Sequence, residues 1–282
     1  MTRARFVSAP FGTMLFREIA DELAAGAWHA VLAVPSVTGH QERQRLRDAA
    51  IEASFLKVEL VNATRAGLAA RQRSGALDAG PGLWIDAQAD ALSVLAFTAG
   101  PGVRLLAHGG TLHPQWLGFA GDIVLETLDR ATLKPAQVEQ ILIRGASFAA
   151  LLKDRLPSVL RAGAVRTDPD DVARGCATAL PMPSEIAAVG IGIEADGRSG
   201  PYLRLLVDQD ESVPARRRIR LQPVRADAAP RVHLYEGNGP LLSQARRIAT
   251  LRADHSTVGD RFTLDVQLGE DGLVEARLTI SR

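Results

Sequence analysis

Two carboxylates, Asp86 and Asp90, bracket a short polar turn in LWIDAQADALSVLAF, residues 83–97. Paired acids at a turn between apolar strands suit a metal ion or a phosphate-bound metal. This turn carries no glycine to let a ligand approach the backbone. A second candidate is Gly145-Ala146-Ser147-Phe148-Ala149. It has the outline of a nucleophile elbow, with Ala at the last glycine position. Asp168, Asp170, Asp171, His233 and His255 follow it in the order a hydrolytic triad needs. The competing reading, which the sequence favours, makes Ser147 a helix cap, because both histidines fall in a different half of the chain. The histidines, at 29, 40, 108, 113, 233 and 255, show no i, i+4 or Cys/His ligand spacing. Arg216, Arg217, Arg218 and Arg220 form a basic run without interleaved aromatics. That pattern reads as a charged strand edge that resists aggregation.

The elements that must position these residues differ between two halves. Over 1–180, helical and apolar-strand patterns alternate. FGTMLFREIADELAAG puts Met14, Ile19 and Leu23 on one helical stripe, and WHAVLAVP is a short buried strand closed by Pro35. GHQERQRLRDAAIEASF reads as a helix, VELVNA as a strand and TRAGLAARQR as a helix. LWIDA and ALSVLAF pair as a hairpin; KPAQVEQILIRG is a helical turn feeding a buried strand; SFAALLKDRLPSVL is a helix. Over 181–282 the chain turns to short strands: YLRLLVD, RRRIRLQPV, RVHLYEG, RIATLRA, RFTLDVQL and LVEARLTI. RFTLDVQL alternates cleanly, as a strand with one buried face does. The expected fold is therefore an α/β domain followed by an all-β sandwich.

Composition excludes several classes. The chain has 282 residues, is 46% hydrophobic and carries a formal net charge of +1. Residues 1–180 hold 19 basic and 18 acidic side chains and residues 181–282 hold 14 of each, so neither half has a nucleic-acid binder's excess. No stretch reaches the roughly 18 apolar residues of a membrane span. The single cysteine, Cys176, forms no internal disulfide and suits a reducing cytoplasm. No cofactor or metal is expected from the residues.

Several stretches, taken in order, resemble the heat-shock-seventy (DnaK-type) chaperones. AVLAVPSVTGHQERQRLRDAAIEASFLKVELVNATRAGLAA resembles that family's strand, Val-Pro turn, Gln-Arg helix and Glu-Pro-Thr helix, with Val34-Pro35, Arg43-Gln44, Asp48-Ala49, Thr64 and Leu68-Ala69 matching. LWIDAQADALSVLAF falls at the second phosphate loop, LKPAQVEQILIRGAS at the adenosine loop, and TDPDDVARGCATA at an Asn-Pro-Asp-Glu helix with Gly175 in place. GIGIEADG, LLVDQDESVPARRR, VHLYEGN and GEDGLVEARL resemble the peptide-binding β module, in the right order. The resemblance implies a truncated actin-like ATPase-type domain over 1–180 and a peptide-binding-like sandwich over 181–282.

The departures shape the expected function. Of the second phosphate loop only Asp86 survives; Gln88, Ala89 and Asp90 replace glycines. Side chains there block the approach of backbone N–H groups to phosphate, and Asp90 adds like charge. Arg144, Ala146 and Phe148 replace Gly, Ser and Arg of the adenosine loop, and Asn62 replaces the Glu of Glu-Pro-Thr. The family's first phosphate loop would precede Met1, its helical insertion finds no room between Gly121 and Lys134, and its lid would follow Arg282, so the reading expects all three to be missing. What remains of a nucleotide site is Asp86, Thr64, Gly145 and Gly175, without catalysis. Carried over residue by residue, the peptide pocket falls on Ile193, Leu221, Val232 and Pro230, with Asp196 and Val224 at its arch. The expected function is a nucleotide-free, chaperone-like binding or scaffolding protein, with a protein partner, a homo-oligomer or an extended peptide bound. The alternatives are half of a split ATPase completed by a partner chain, and a serine hydrolase using Ser147.

Overall fold

The computed structural model describes residues 29–145, 152, 154–160, 164–167, 170–177, 182–222, 231–253 and 261–281. The helix expected near the N-terminus, residues 146–149 of the elbow with Ser147, Asp168, Val224, Pro230 and His255 lie outside these residues.

Strand β1 (His29–Val34) runs through helix α1 (His40–Glu52) to β2 (Lys57–Asn62), and the two strands pair in parallel as a small sheet. No loop separates β2 from α2 (Ala63–Arg73). Asn62 ends the strand and caps the helix, its side-chain oxygen accepting from the Thr64 amide at 3.0 Å. The expected elements over 40–73 are all found.

A five-stranded sheet forms the centre of this half. Its order is β5 (Val103–Thr111), β4 (Leu92–Ala99), β3 (Gly80–Ala87), β6 (Gln140–Arg144) and β7 (Ala164–Arg166). The β3–β4 hairpin is antiparallel as expected, with Ala87 opposite Leu92; β3, β6 and β7 are parallel. Alternation divides β3 between two cores. Leu83, Ile85 and Ala87 pack with Val124 and Leu128 of helix α3 (Ala120–Arg130). Trp84 packs on the other face with Ala66 and Leu68 of α2 and Val172 of helix α4 (Asp171–Ala177).

Two departures from the sequence reading stand out in this half. Residues 103–130, to which the pattern assigns nothing, form β5 and α3. Of the helix expected over 147–160, Leu152 is helical, and the chain then passes to a turn at 154–155 and a 3-10 helix at Ser158–Leu160. Pro157 has no N–H to continue a helix and its ring clashes with the preceding turn.

The second half is antiparallel throughout. One sheet has the order β12 (Arg246–Arg252), β11 (Arg231–Glu236), β8 (Ile191–Gly197), β9 (Gly200–Val207). The other has β10 (Ala215–Leu221), β13 (Arg261–Leu268), β14 (Val274–Ser281). Ile191, Ile193 and Leu234 from the first sheet share one core with Leu264, Val266 and Leu268 from the second. Two sheets that bury facing apolar rows in this way make a sandwich. β10 is an edge strand, and its arginines are held by charge: Arg216 and Arg218 both donate to Asp265, at 2.9 and 2.6 Å. Those ion pairs hold the Asp265 carboxyl well below the usual range.

Close helix packing fixes α2 against α4. A Cβ on Gly175 would fall inside the van der Waals envelope of the Ala66 carbonyl oxygen, and one on Gly67 inside that of the Trp84 ring. Backbone cannot yield as a side chain can. Gly175→Ala is therefore expected to destabilise the protein by about 1–3 kcal/mol. Gly118→Ala, where the added carbon meets open space, is the control and stays within about 0.5 kcal/mol. Equal denaturation midpoints for the two variants would remove this packing argument.

Candidate functional site

The residues expected to remain from a nucleotide site separate into two groups. Asp86 and Gly145 meet at the C-terminal ends of β3 and β6. Asp86 stands opposite Arg144 in the parallel register, and Arg144 Nη2 donates to Asp86 Oδ2. Both side chains are buried. Gly145 has φ +103°, and a Cβ there would clash with the Ala87 carbonyl oxygen, so a glycine is required. Thr64 and Gly175 belong to the α2–α4 packing instead, and the buried Thr64 hydroxyl has no hydrogen-bond partner among the described residues.

Asp86 and Asp90 do not share a site. The reading of both as surface turn residues holds for Asp90, which is exposed, and fails for Asp86, which is 2% exposed. Strand alternation turns Asp86 to the Trp84 side of the sheet, where only a charged partner makes burial tolerable. The turn itself is closed by the Gln88 amide on the Ala91 carbonyl at 2.9 Å, and the Trp116 indole donates to the Gln88 carbonyl at 2.8 Å.

The carried-over peptide set is partly assembled. Ile193 of β8 lies opposite Leu234 and is 3% exposed; Val232 of β11 and Leu221 of β10 pack against the same core from the two sheets. Ile193 is thus sandwich core rather than open pocket surface. Asp196 is exposed near the β8–β9 turn.

The arrangement that sequence spacing did not reveal lies where the two halves meet. A cavity of about 310 Å³ opens between the loop after β1, the end of β5, the segment 185–189 and the turn 269–272. His108 of β5 reaches it, and its Nε2 lies 3.2 Å from Glu185 Oε1. Glu185 Oε1 also accepts from the Ile186 amide at 3.0 Å. Burial pushes the Glu185 carboxyl up, but the His108 contact, the Ile186 amide and the charge of Arg65 outweigh it and hold the group below its usual value. Asn62 Nδ2 stands 3.4 Å from the same ring nitrogen.

Arg43 of α1 closes another side of the cavity. It is buried, and its three nitrogens donate to the carbonyls of Thr38 at 2.7 Å, Asp271 at 2.9 Å and Pro35 at 3.3 Å. Glu236 Oε1, at the end of β11, accepts from the His40 amide at 2.5 Å. Burial holds the Glu236 carboxyl above its ordinary range, and the His40 amide and Arg246 only partly offset it. Among the described residues, no group of three or more His, Cys, Asp or Glu is placed to hold a metal ion. No helix there is long and apolar enough to cross a membrane.

No family model and no curated protein matches the chain.

Two outcomes follow from these buried charges. Arg144→Met leaves the Asp86 carboxylate buried and unmatched, at a cost of roughly 3–5 kcal/mol; the Asp86→Leu, Arg144→Met double variant recovers most of it. Urea midpoints check both, and a double variant as weak as the single one would mean that the pair is not the cause. Glu236→Gln keeps an acceptor for the His40 amide and removes the titration. Because burial raises the Glu236 pKa above its ordinary 4.5, wild-type stability from this group is full below that value and lost as pH rises through the folded pKa. The variant should therefore gain on wild type as pH rises above that ordinary value, until the folded group is ionised. A stability gap that does not change with pH would contradict this.

Proposed function

We propose that the chain is a nucleotide-free, chaperone-like protein that binds or scaffolds a protein partner or an extended peptide. The observation that carries the nucleotide-free part is the Asp86–Arg144 pair. In the resemblance, Asp86 is the surviving carboxylate of a phosphate loop. Here an internal guanidinium takes it, one strand away, in the position where the adenosine loop has glycine. The adjoining residues Gln88, Ala89 and Asp90 carry side chains where close phosphate contact needs bare backbone. The required glycine at 145 serves the contact of β6 with Ala87, which needs no ligand. These features support a fold that keeps the frame of a phosphate site without its function.

The binding part of the reading rests on the sandwich. Ile193 is buried in its core, whereas Val232 of β11 and Leu221 of β10 are only partly buried, and Asp196 stands exposed at the β8–β9 turn. An extended peptide added beside such a sheet gains backbone hydrogen bonds, with specificity from a pocket for alternate side chains. Burial of one leucine-sized side chain is worth about 1.5–3 kcal/mol, so affinity is modest. Asp196 biases the module toward basic peptides.

Calorimetry with Mg-ATP on the full chain should give no saturable heat up to about millimolar concentration, weaker than about −4 kcal/mol. Micromolar affinity would overturn the nucleotide-free reading. An array of extended peptides should show weak binding that favours basic sequences and declines with Asp196→Lys. Silence across the array, together with a monomer in light scattering, removes the binding role.

A further inference from the structure

We propose that His40 is an acid-sensitive latch between the two halves: its neutral ring holds the start of β14 against α1, and protonation of the ring releases it. The backbone amide of Val274, the first residue of β14, donates to His40 Nδ1 at 3.0 Å. An amide N–H can only donate, so Nδ1 must present its lone pair. This fixes the ring as the neutral tautomer with its proton on Nε2. The imidazolium carries N–H at both nitrogens. Protonated His40 would set two N–H groups against each other, and the contact is lost.

The place of this contact gives it weight. His40 opens α1, and its own amide donates to Glu236 Oε1. Residue 40 therefore touches the second half twice, at the end of β11 and at the start of β14. The rest of the first turn of α1 is held to the same half. Gln41 Nε2 donates to the Arg247 carbonyl at 3.2 Å, Arg246 donates to Glu42 at 2.9 Å, and Arg43 donates to the Asp271 carbonyl at 2.9 Å. Arginine keeps its charge throughout the physiological range, and Arg246 holds the Glu42 carboxyl below its ordinary value. A protonated Glu236 would still offer an oxygen to the His40 amide. The His40 ring is the member of this turn whose hydrogen bond a single proton abolishes.

Charged groups surround the ring on every side. Asp271 in the β13–β14 turn and Glu42 on α1 favour its charged form. Arg43 on α1 and Arg246 at the start of β12 stand beside these two residues, and Glu236 closes the end of β11. Glu275, next on β14, is exposed. Burial outweighs the two carboxylates and lowers the His40 pKa from its ordinary 6.5. A folded ring that binds its proton less readily than the unfolded one contributes stability that is full above that value and lost as pH falls through the folded pKa. The latch is therefore shut at neutral pH and opens on the acid side.

The test is nitrogen-edited NMR and hydrogen exchange on the full chain, titrated from about pH 8 to about pH 5. At the upper end the His40 Nδ1 resonance should be that of an unprotonated acceptor, and it should gain its proton below 6.5. Protection of the Val274 amide, corrected for the intrinsic exchange rate, should fall about fivefold or more with the same midpoint, the worth of one hydrogen bond. Amides in the middle of β4 and of β13 should keep their protection, because each half stays folded. These wild-type readings need no variant to fold. His40→Asn puts an amide oxygen in the place of Nδ1 and cannot titrate, so Val274 protection should become independent of pH. Glu236→Gln should keep the wild-type loss. A protonated Nδ1 at the upper end, Val274 protection that ignores pH, or loss at β4 and β13 together with Val274 overturns the latch. So does a pH response that survives His40→Asn or vanishes in Glu236→Gln. The latch does not rest on the nucleotide-free reading, and its failure leaves that reading intact.

Discussion

The guanidinium of Arg43 is the point on which the two halves of the molecule are hung. A buried charge must be met by hydrogen bonds or it unfolds what surrounds it. Arg43 is met by carbonyls from two places: Pro35 and Thr38 in the loop after β1, and Asp271 in the turn between β13 and β14. That turn can seat on Arg43 only because residue 272 is glycine. Its φ is +72°, and an added Cβ would stand 2.9 Å from Arg43 Nε. Around this centre the contacts between halves are mixed: Leu273 is buried with Val34 and Leu60, and several further contacts are polar. Arg65 donates to Glu270 at 2.7 Å, Arg246 to Glu42 at 2.9 Å, and Asp210 accepts from the His108 amide at 2.7 Å and from Arg130 at 2.9 Å. The polar contacts fix the orientation by direction and charge, while the Leu273 contact adds apolar burial.

Asp86 obeys the same rule inside the sheet. β3 is central and buried on both faces, so its one carboxylate has no access to water. Position 144 on the parallel neighbour is the place from which a cation can answer it. The ion pair therefore follows from topology once residue 86 is acidic and the turn offers no other ligand. In the proposed reading, loss of phosphate-facing glycines and arrival of Arg144 are one change seen from two strands. The frame survives because hairpin pairing, the Trp84 contact with Gly67 and the Gly145 contact with Ala87 are packing constraints independent of any ligand.

Much of the frame was legible because its signals are local. The β3–β4 hairpin, the α1–β2–α2 run and the strands of the sandwich each carry their period within a few residues. β5 and α3 are hidden in the sequence for a physical reason: VRLLAHGGT carries two glycines at 109 and 110, and Ala120–Arg130 begins without a capping side chain. The junction site was illegible for a different reason. His108 and Glu185 are 77 positions apart and come from a sheet edge and a connecting segment. No spacing rule joins them. The only hint was a histidine and a glutamate each set in an apolar run, VRLLAHGGT and SEIAAV, where a lone polar group needs a partner from elsewhere.

The connecting segment shares in this arrangement. Glu185 accepts from the Ile186 amide at 3.0 Å and lies 3.2 Å from His108 Nε2, so the segment that enters the second half is tied to the edge strand of the first. The His108 amide in turn donates to Asp210 at 2.7 Å. Removing one partner of such a buried contact costs more than the pair contributes, because the other group is left without a match. Arg43 sets which way the halves face, and His108 and Glu185 hold the connection in that arrangement.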